Sequence, residues 1–130
     1  MYLVTVFELL HHNASLGMEI IMAVIISLKC TNKTRSIPEL ATIIKGAMGS
    51  EVVCDKKMLN DKALLLCFEE YYFRCQNYVT VTVMITESED CQEAVVVGSG
   101  GGSGLANISL GANSSFARKV AKRLIELEFK

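Results

Sequence analysis

The chain has 130 residues, of which 51% are hydrophobic, and its formal net charge is −1. This length suits one domain that buries its own core, and the composition excludes a disordered chain and an acidic tail protein. The balanced charge also argues against a protein that binds nucleic acid through overall positive charge.

Residues 1–21 differ from the rest of the chain and have two interpretations. Met18 and Glu19 must be encoded by ATG followed by GAA or GAG, which places a purine-rich stretch shortly upstream of the Met22 codon. That stretch resembles a bacterial ribosome-binding site. One hypothesis is therefore that residues 1–21 are a leader or a mis-assigned start, and that residues 22–130 form a single α+β domain. The alternative is a genuine N-terminal strand or helix.

The first regular elements are a strand, a helix and a second strand. Residues 23–28 are short and β-branched, which predicts a strand. Ser36 and Glu39 form a capping box with a proline in the first turn, and Gly49 is expected to end the helix that follows. Residues 51–54 predict the second strand.

The centre of the chain predicts a meander of three strands. Residues 63–74 are apolar on both sides at first and then carry Glu, Tyr and Arg, as expected of a central strand whose end reaches a wet surface. Residues 78–86 alternate Val and Ile with Thr and Met, which predicts a half-buried antiparallel strand. Residues 94–97 begin a third strand that ends in the glycine run, residues 98–104. Short polar turns join these strands.

The C-terminal part predicts a last strand, a turn and a helix. Residues 105–110 alternate like a strand, and residues 111–115 resemble a turn that carries a helix N-cap. The apolar stripe of the final helix is Phe116, Val120, Leu124 and Leu127. The predicted fold is α+β, a single antiparallel sheet of five or six strands with two helices packed on one face.

The glycine run is the first candidate site. Backbone N–H groups free of side chains can form an anion-binding nest, so Gly98, Gly100, Gly101 and Gly102 are candidate ligand-binding residues. The run contains neither G-x-G-x-x-G nor G-x-x-x-x-G-K-[ST], and the predicted element after it is a strand. These points favour the alternative, a hairpin connection or bulged strand pair.

The second candidate site is the densest ionisable cluster. Glu70, Tyr72 and Arg74 share one side of their strand, so a carboxylate with a tyrosine and an arginine could act on a ligand there. Glu69 and Tyr71 project from the opposite side. The competing interpretation is a cross-strand ion pair with aromatic packing, because no histidine or nucleophile–base pair accompanies the cluster. No catalytic residue is assigned.

The remaining residue types predict neither a metal nor a cofactor. The two histidines, His11 and His12, are adjacent, and the five cysteines include no C-x-x-C pair, so they are interpreted as reduced thiols of a cytoplasmic protein. No charged n-region or bilayer-length apolar segment is present, so no membrane partner is expected. The last helix also carries four basic residues, which are interpreted as a solvated face and not as a nucleic-acid site. They are Arg118, Lys119, Lys122 and Arg123.

The second half of the chain resembles a family of small uncharacterised bacterial proteins, a domain of unknown function. The resemblance rests on a strand with Phe68, Glu69, Tyr71 and Tyr72, on the Gly-Ser-Gly-Gly-Gly loop of residues 98–102, and on a turn into the last helix with Gly111, Ala112 and Phe116. It implies a bacterial, cytoplasmic protein whose glycine loop belongs to the domain. It implies no catalytic residue.

Two functions are carried forward. The leading expectation is a non-enzymatic binding or assembly domain, a homodimer or higher homo-oligomer, because two helices on one face leave the other face of the sheet open near Tyr72 and Arg74. The alternative is a small enzyme or a nucleotide- or anion-binding protein that uses residues 98–104. The small-molecule ligand is unknown.

Overall fold

The computed structural model of the protein describes residues 3–13, 17–73, 77–100 and 106–130, with side-chain surroundings for residues 24–73, 77–100 and 115–130. The described part contains these elements in chain order: β1 (Leu3–Asn13), β2 (Gly17–Cys30), α1 (Ile37–Met48), β3 (Glu51–Met58), β4 (Ala63–Tyr72), β5 (Asn77–Glu87), β6 (Gln92–Gly100) and α2 (Ala106–Glu126).

The described strands form one six-stranded antiparallel sheet in the order β1-β2-β6-β5-β4-β3. Strands β3 to β6 follow one another as a meander, which confirms the meander predicted for the centre of the chain. Strand β2 then pairs with the free edge of β6, and α1 connects β2 to the opposite edge of the sheet at β3. The predicted α+β fold is confirmed.

Both helices pack on one face of the sheet, as predicted. Helix α2 contacts β2, β5 and β6, while α1 contacts β3, β4, β5 and α2. Every second residue of the central strands is buried beneath them, and each such apolar side chain contributes about 1.5–3 kcal/mol when it leaves water. The buried strand residues beneath the helices include Val24, Ile26, Leu28, Leu64, Leu66, Phe68, Val79, Val81, Val83, Ile85, Ala94 and Val96.

Helix α1 begins and ends where the sequence predicts. The Ser36 side chain accepts a hydrogen bond from the Glu39 backbone N–H at 3.3 Å, and Gly49 takes a left-handed conformation with φ 62°. Lys45, in the last turn, hydrogen-bonds Asp55 of β3. That bond, with a second from Lys57, lowers the pKa of Asp55 below its ordinary value.

A pair of glycines in and after α1 gives a matched test of this helix end. Nothing lies within 4 Å of a Cβ added at Gly46 or at Gly49. We expect Gly49→Ala to lower the free energy of unfolding by about 1–2 kcal/mol, because an L-residue is strained at positive φ. We expect Gly46→Ala to raise it by about 0.5–1 kcal/mol, since that residue is inside the helix. Urea denaturation measures both, and the same sign for both variants would contradict the assigned helix end.

The predicted strand at residues 105–110 and the turn at residues 111–115 are wrong. Helix α2 runs without interruption from Ala106 to Glu126. Both edges of β6 are already occupied, by β5 and by β2, so a chain that turned back after Gly100 would find no edge with which to pair. A six-residue apolar alternation does not distinguish a strand from a helix, and one glycine inside a long helix costs only about 1 kcal/mol.

The N-terminal segment forms a hairpin of β1 and β2. Strand β2 pairs with β6 only through Val24 to Cys30, so the part of β2 that joins the rest of the sheet lies after Met22. The start at Met22 stays a prediction. Intact mass of the protein expressed from its own promoter tests it, and a mass that includes Met1 would refute it.

Candidate functional site

The face of the sheet opposite the helices carries no covering element in the described part of the chain. We call it the open face. Its central residues come from β2, β6, β5, β4 and β3, and they lie in rows because the strands are in register. One row runs from Ser27 through Val95, Met84 and Leu65 to Lys56. The next row runs through Ile25, Val97, Thr82, Cys67 and Cys54.

The centre of the open face is uncharged and largely apolar. Met84 is 43% exposed and Val95 is 38% exposed, whereas Ile25, Leu65 and Val97 are half-buried by their neighbours. Met84 lies on β5, the middle one of these five strands. An apolar patch that spans five strands is larger than the scattered apolar residues of an ordinary protein surface.

Charges of both signs surround this apolar centre. Lys29 and Glu93 face each other across β2 and β6, with 4.0 Å between the Lys29 Nζ and the Glu93 carboxylate. Lys56 lies at the β3 side, and Glu69 lies towards the other end of the sheet. An uncharged centre with a charged rim is the usual arrangement of a protein–protein interface.

An aromatic cluster lies at one end of β4 and β5. The ring of Tyr71 contacts Phe73 and Tyr78 edge to face, with centroid distances of 5.3 and 5.1 Å. Phe73 is 86% exposed, and both tyrosines are also exposed. Exposed aromatic side chains of this size are more common in interfaces than on other surfaces.

Residues 39–128 match DUF6054, a family of unknown function. The chain belongs to this family. The match confirms the predicted domain of unknown function, while the bacterial origin stays a prediction. The curated proteins contain no match to the chain.

The DUF6054 region contains every candidate site residue predicted from sequence. These residues do not all lie on the same face of the sheet. Phe68 is fully buried beneath the helices, and Tyr72 shares its side of β4. The Tyr72 ring contacts Phe116 of α2 with a centroid distance of 6.4 Å. The prediction that Tyr72 lies on the exposed sheet face is therefore wrong. By alternation, the half-buried Glu70 lies on the helix-covered side too.

Strand β4 is apolar on both sides at its start, so the alternation in the sequence does not show which side meets the helices. The burial of Phe68 decides this, and it assigns Glu69 and Tyr71 to the open face. Arg74 lies outside the described residues. The exposed Phe73 and Tyr78 were missed, and the signal that could have found them is their position beside Tyr71 at a strand end.

The glycine run of the DUF6054 region joins a strand to a helix. Gly98 and Gly100 belong to β6, and Gly98 is buried. Gly101 and Gly102 lie outside the described residues. Glu70, Val79 and Gly100 form one row across three neighbouring strands, which places Glu70 about 10 Å from Gly100. Glu70 therefore lies near the described part of the glycine run.

A hydrogen-bond network lies just before α1. Gln92 is 1% exposed, and its Nε2 donates to the Arg35 carbonyl oxygen at 2.7 Å and to the Glu87 carboxylate at 2.8 Å. The hydrogen bond from Gln92 lowers the pKa of Glu87, with a smaller contribution from the charges of Lys62 and Lys33, while burial opposes the shift. The two hydrogen bonds of Gln92 connect the chain before α1 to the ends of β5 and β6 that meet at their turn.

This arrangement predicts a loss of stability in acid. Because the pKa of Glu87 is below its ordinary value of 4.5 in the folded protein, its contribution is complete above that pH and disappears as the pH falls through the folded pKa. We expect Glu87→Gln to lose less unfolding free energy than the wild type between about pH 7 and about pH 3. The exposed Glu89→Gln is the matched control. Equal acid sensitivity of Glu87→Gln and the wild type would contradict the pKa assignment.

The described residues contain neither a cluster of metal ligands nor a membrane-spanning helix. In the residues that the structure describes, no three His, Cys, Asp or Glu side chains come together as metal ligands would. No helix in the same part of the chain is long and apolar enough to cross a membrane. The four cysteines described, Cys30, Cys54, Cys67 and Cys91, are free thiols.

Proposed function

We propose that the protein is a non-enzymatic assembly domain whose open face binds a second copy of the chain. The uncovered apolar centre of the open face carries this proposal, because Met84 and Val95 keep about two-fifths of their surface in water while the opposite face of the same strands is buried. Two such faces stacked together would form a sandwich, with sheets about 10 Å apart.

The size of the open face supports a stable contact. Five strands about 4.8 Å apart cover about 24 Å, and seven residues along each strand cover a similar length. Each copy therefore offers about 600 Å² of flat area, and the two together about 1,200 Å², which is the lower limit of specific interfaces. The aromatic cluster adds further apolar area at one end.

The charges on the rim support a second copy as the occupant. In a two-fold symmetric contact the same surface meets itself, so a rim of one sign would repel. This rim carries Lys29 and Lys56 together with Glu69 and Glu93. Opposite charges can therefore meet around an uncharged centre. The sequence-based expectations of a bacterial origin and a cytoplasmic location are part of the proposal.

Native mass spectrometry of the full chain, purified without added ligand, tests this function. The proposal predicts a species of twice the 14.3 kDa chain mass that becomes more abundant with protein concentration. A bare monomer at every attainable concentration would contradict it. Retention of a molecule of nucleotide size would instead favour the second candidate.

The second candidate is an anion-binding protein that uses residues 98–104. The sequence disfavours this candidate because it predicts a strand after the glycines. In the structure, helix α2 begins at Ala106 instead, and its first turn has no acidic residue. A helix N-terminus after glycines offers free N–H groups to an anion. If this candidate is right, Gly101→Val abolishes binding of inorganic phosphate measured by calorimetry, while Gly46→Ala leaves it unchanged. Unchanged binding in Gly101→Val would refute it.

A further inference from the structure

Two cysteines lie opposite each other on the open face. Cys54 of β3 pairs in register with Cys67 of β4, and both side chains are half-buried free thiols. Directly opposite residues of an antiparallel pair project to the same side of the sheet. The Thr82 hydroxyl donates to the Cys67 sulfur at 3.7 Å from β5, and the Cys54 thiol donates to the Leu65 carbonyl oxygen at 4.0 Å, so these weak contacts break when the two sulfurs join.

We propose that Cys54 and Cys67 form a reversible cross-strand disulfide that responds to small-molecule disulfide oxidants. Opposite residues of an antiparallel pair have Cα atoms about 4.5 or about 5.5 Å apart, and disulfides span about 4.4–6.8 Å between Cα atoms. Strand β3 is at the edge of the sheet, and its register shifts between Val52 and Cys54. The strand can therefore adjust locally as the bond forms.

The oxidant would be a low-molecular-weight disulfide such as oxidised glutathione. One protein thiolate attacks it, which forms a mixed disulfide and releases one reduced thiol. The second protein thiolate then attacks the protein sulfur and releases the other reduced thiol. The two cysteines are oxidised, the glutathione disulfide is reduced to two thiols, and the protons of the two protein thiols end on those products.

The remaining thiols of the described part are poorly placed for this chemistry. Cys30 and Cys91 are buried, and Cys91 lies in a turn where the Ser88 hydroxyl accepts from its backbone N–H. The disulfide would fasten the edge strand β3 to β4. It concerns a covalent bond within one chain, but a second copy bound to the open face would restrict the access of the oxidant to both thiols.

Intact-mass measurement after incubation of the full chain with oxidised glutathione tests the proposal. We expect the loss of two hydrogen atoms, reversal by excess reduced glutathione, and a peptide map that joins Cys54 to Cys67. The Cys54→Ser variant should keep a bound glutathione on Cys67, because the second thiol is absent. The Cys75→Ser variant removes the remaining one of the five cysteines of the chain, and it should oxidise like the wild type because Cys75 is not a partner in the proposed bond.

Three outcomes would overturn the proposal. The first is an unchanged mass. The second is a wild-type protein that keeps a bound glutathione and does not go on to form the disulfide. The third is a loss of two hydrogen atoms that persists in Cys54→Ser. The Met84→Glu variant, in which a carboxylate at the centre of the open face should prevent assembly, is oxidised in parallel, so that thiols covered by a second copy are not mistaken for an absent disulfide. Failure of the disulfide is thus distinguishable from failure of the assembly function.

Discussion

Met84→Glu is expected to convert the assembled protein to a monomer and to raise the dissociation constant at least about a hundredfold. Met84 lies at the middle of the open face, so a carboxylate there would be buried without a partner when two faces meet. In a two-fold contact the change occurs twice. A total cost of about 3 kcal/mol already exceeds a hundredfold, since about 1.4 kcal/mol corresponds to a factor of ten.

Ile125→Glu is the matched control for this experiment. Ile125 belongs to α2 on the other side of the sheet, and at 41% it is as exposed as Met84 at 43%. The same charge therefore enters an equally exposed apolar position away from the open face. Sedimentation equilibrium of both variants gives the dissociation constants. If Met84→Glu assembled like the wild type, or if Ile125→Glu dissociated equally, the open face would not be the interface.

Ala112→Pro is expected to lower the free energy of unfolding by about 3 kcal/mol or more. Residue 112 is the seventh residue of α2, where proline removes a backbone hydrogen bond and its ring clashes with the preceding turn. This is a large part of the about 5–15 kcal/mol that stabilises a typical domain. Urea denaturation followed by circular dichroism measures the loss.

The same substitution separates the helix from the turn that sequence predicts. In a turn spanning residues 111–115, proline would be tolerated and the change would be small. Ala112→Ser is the control, since serine in place of alanine inside a helix lowers the free energy of unfolding by only about 0.5 kcal/mol. A proline variant as stable as the serine variant would contradict the uninterrupted helix α2.

Local signals in this chain predict local structure well. Ser36, Glu39 and Gly49 delimit α1 because each satisfies or ends the helix through its own backbone or side chain. The alternation of residues 78–86 likewise predicts β5, since one side is uniformly Val and Ile. These features need no knowledge of the rest of the fold.

Features that depend on distant neighbours were not predictable from sequence. Residues 106–110 are helical because β5 and β2 already occupy both edges of β6, and β2 comes from far earlier in the chain. The orientation of Tyr72 depends on its contact with Phe116 of α2. Tertiary packing therefore determines both the face that carries the candidate site and the element that follows the glycines.

An isotope-filtered NMR measurement tests the assembly proposal most directly. A mixture of methyl-labelled and unlabelled chains reports only contacts between different copies. We expect intermolecular contacts at the methyl groups of Ile25, Leu65, Met84, Val95 and Val97, all on the open face. Intermolecular contacts confined to the methyl groups of Ile125 and its neighbours on α2, or no intermolecular contact at all, would contradict it.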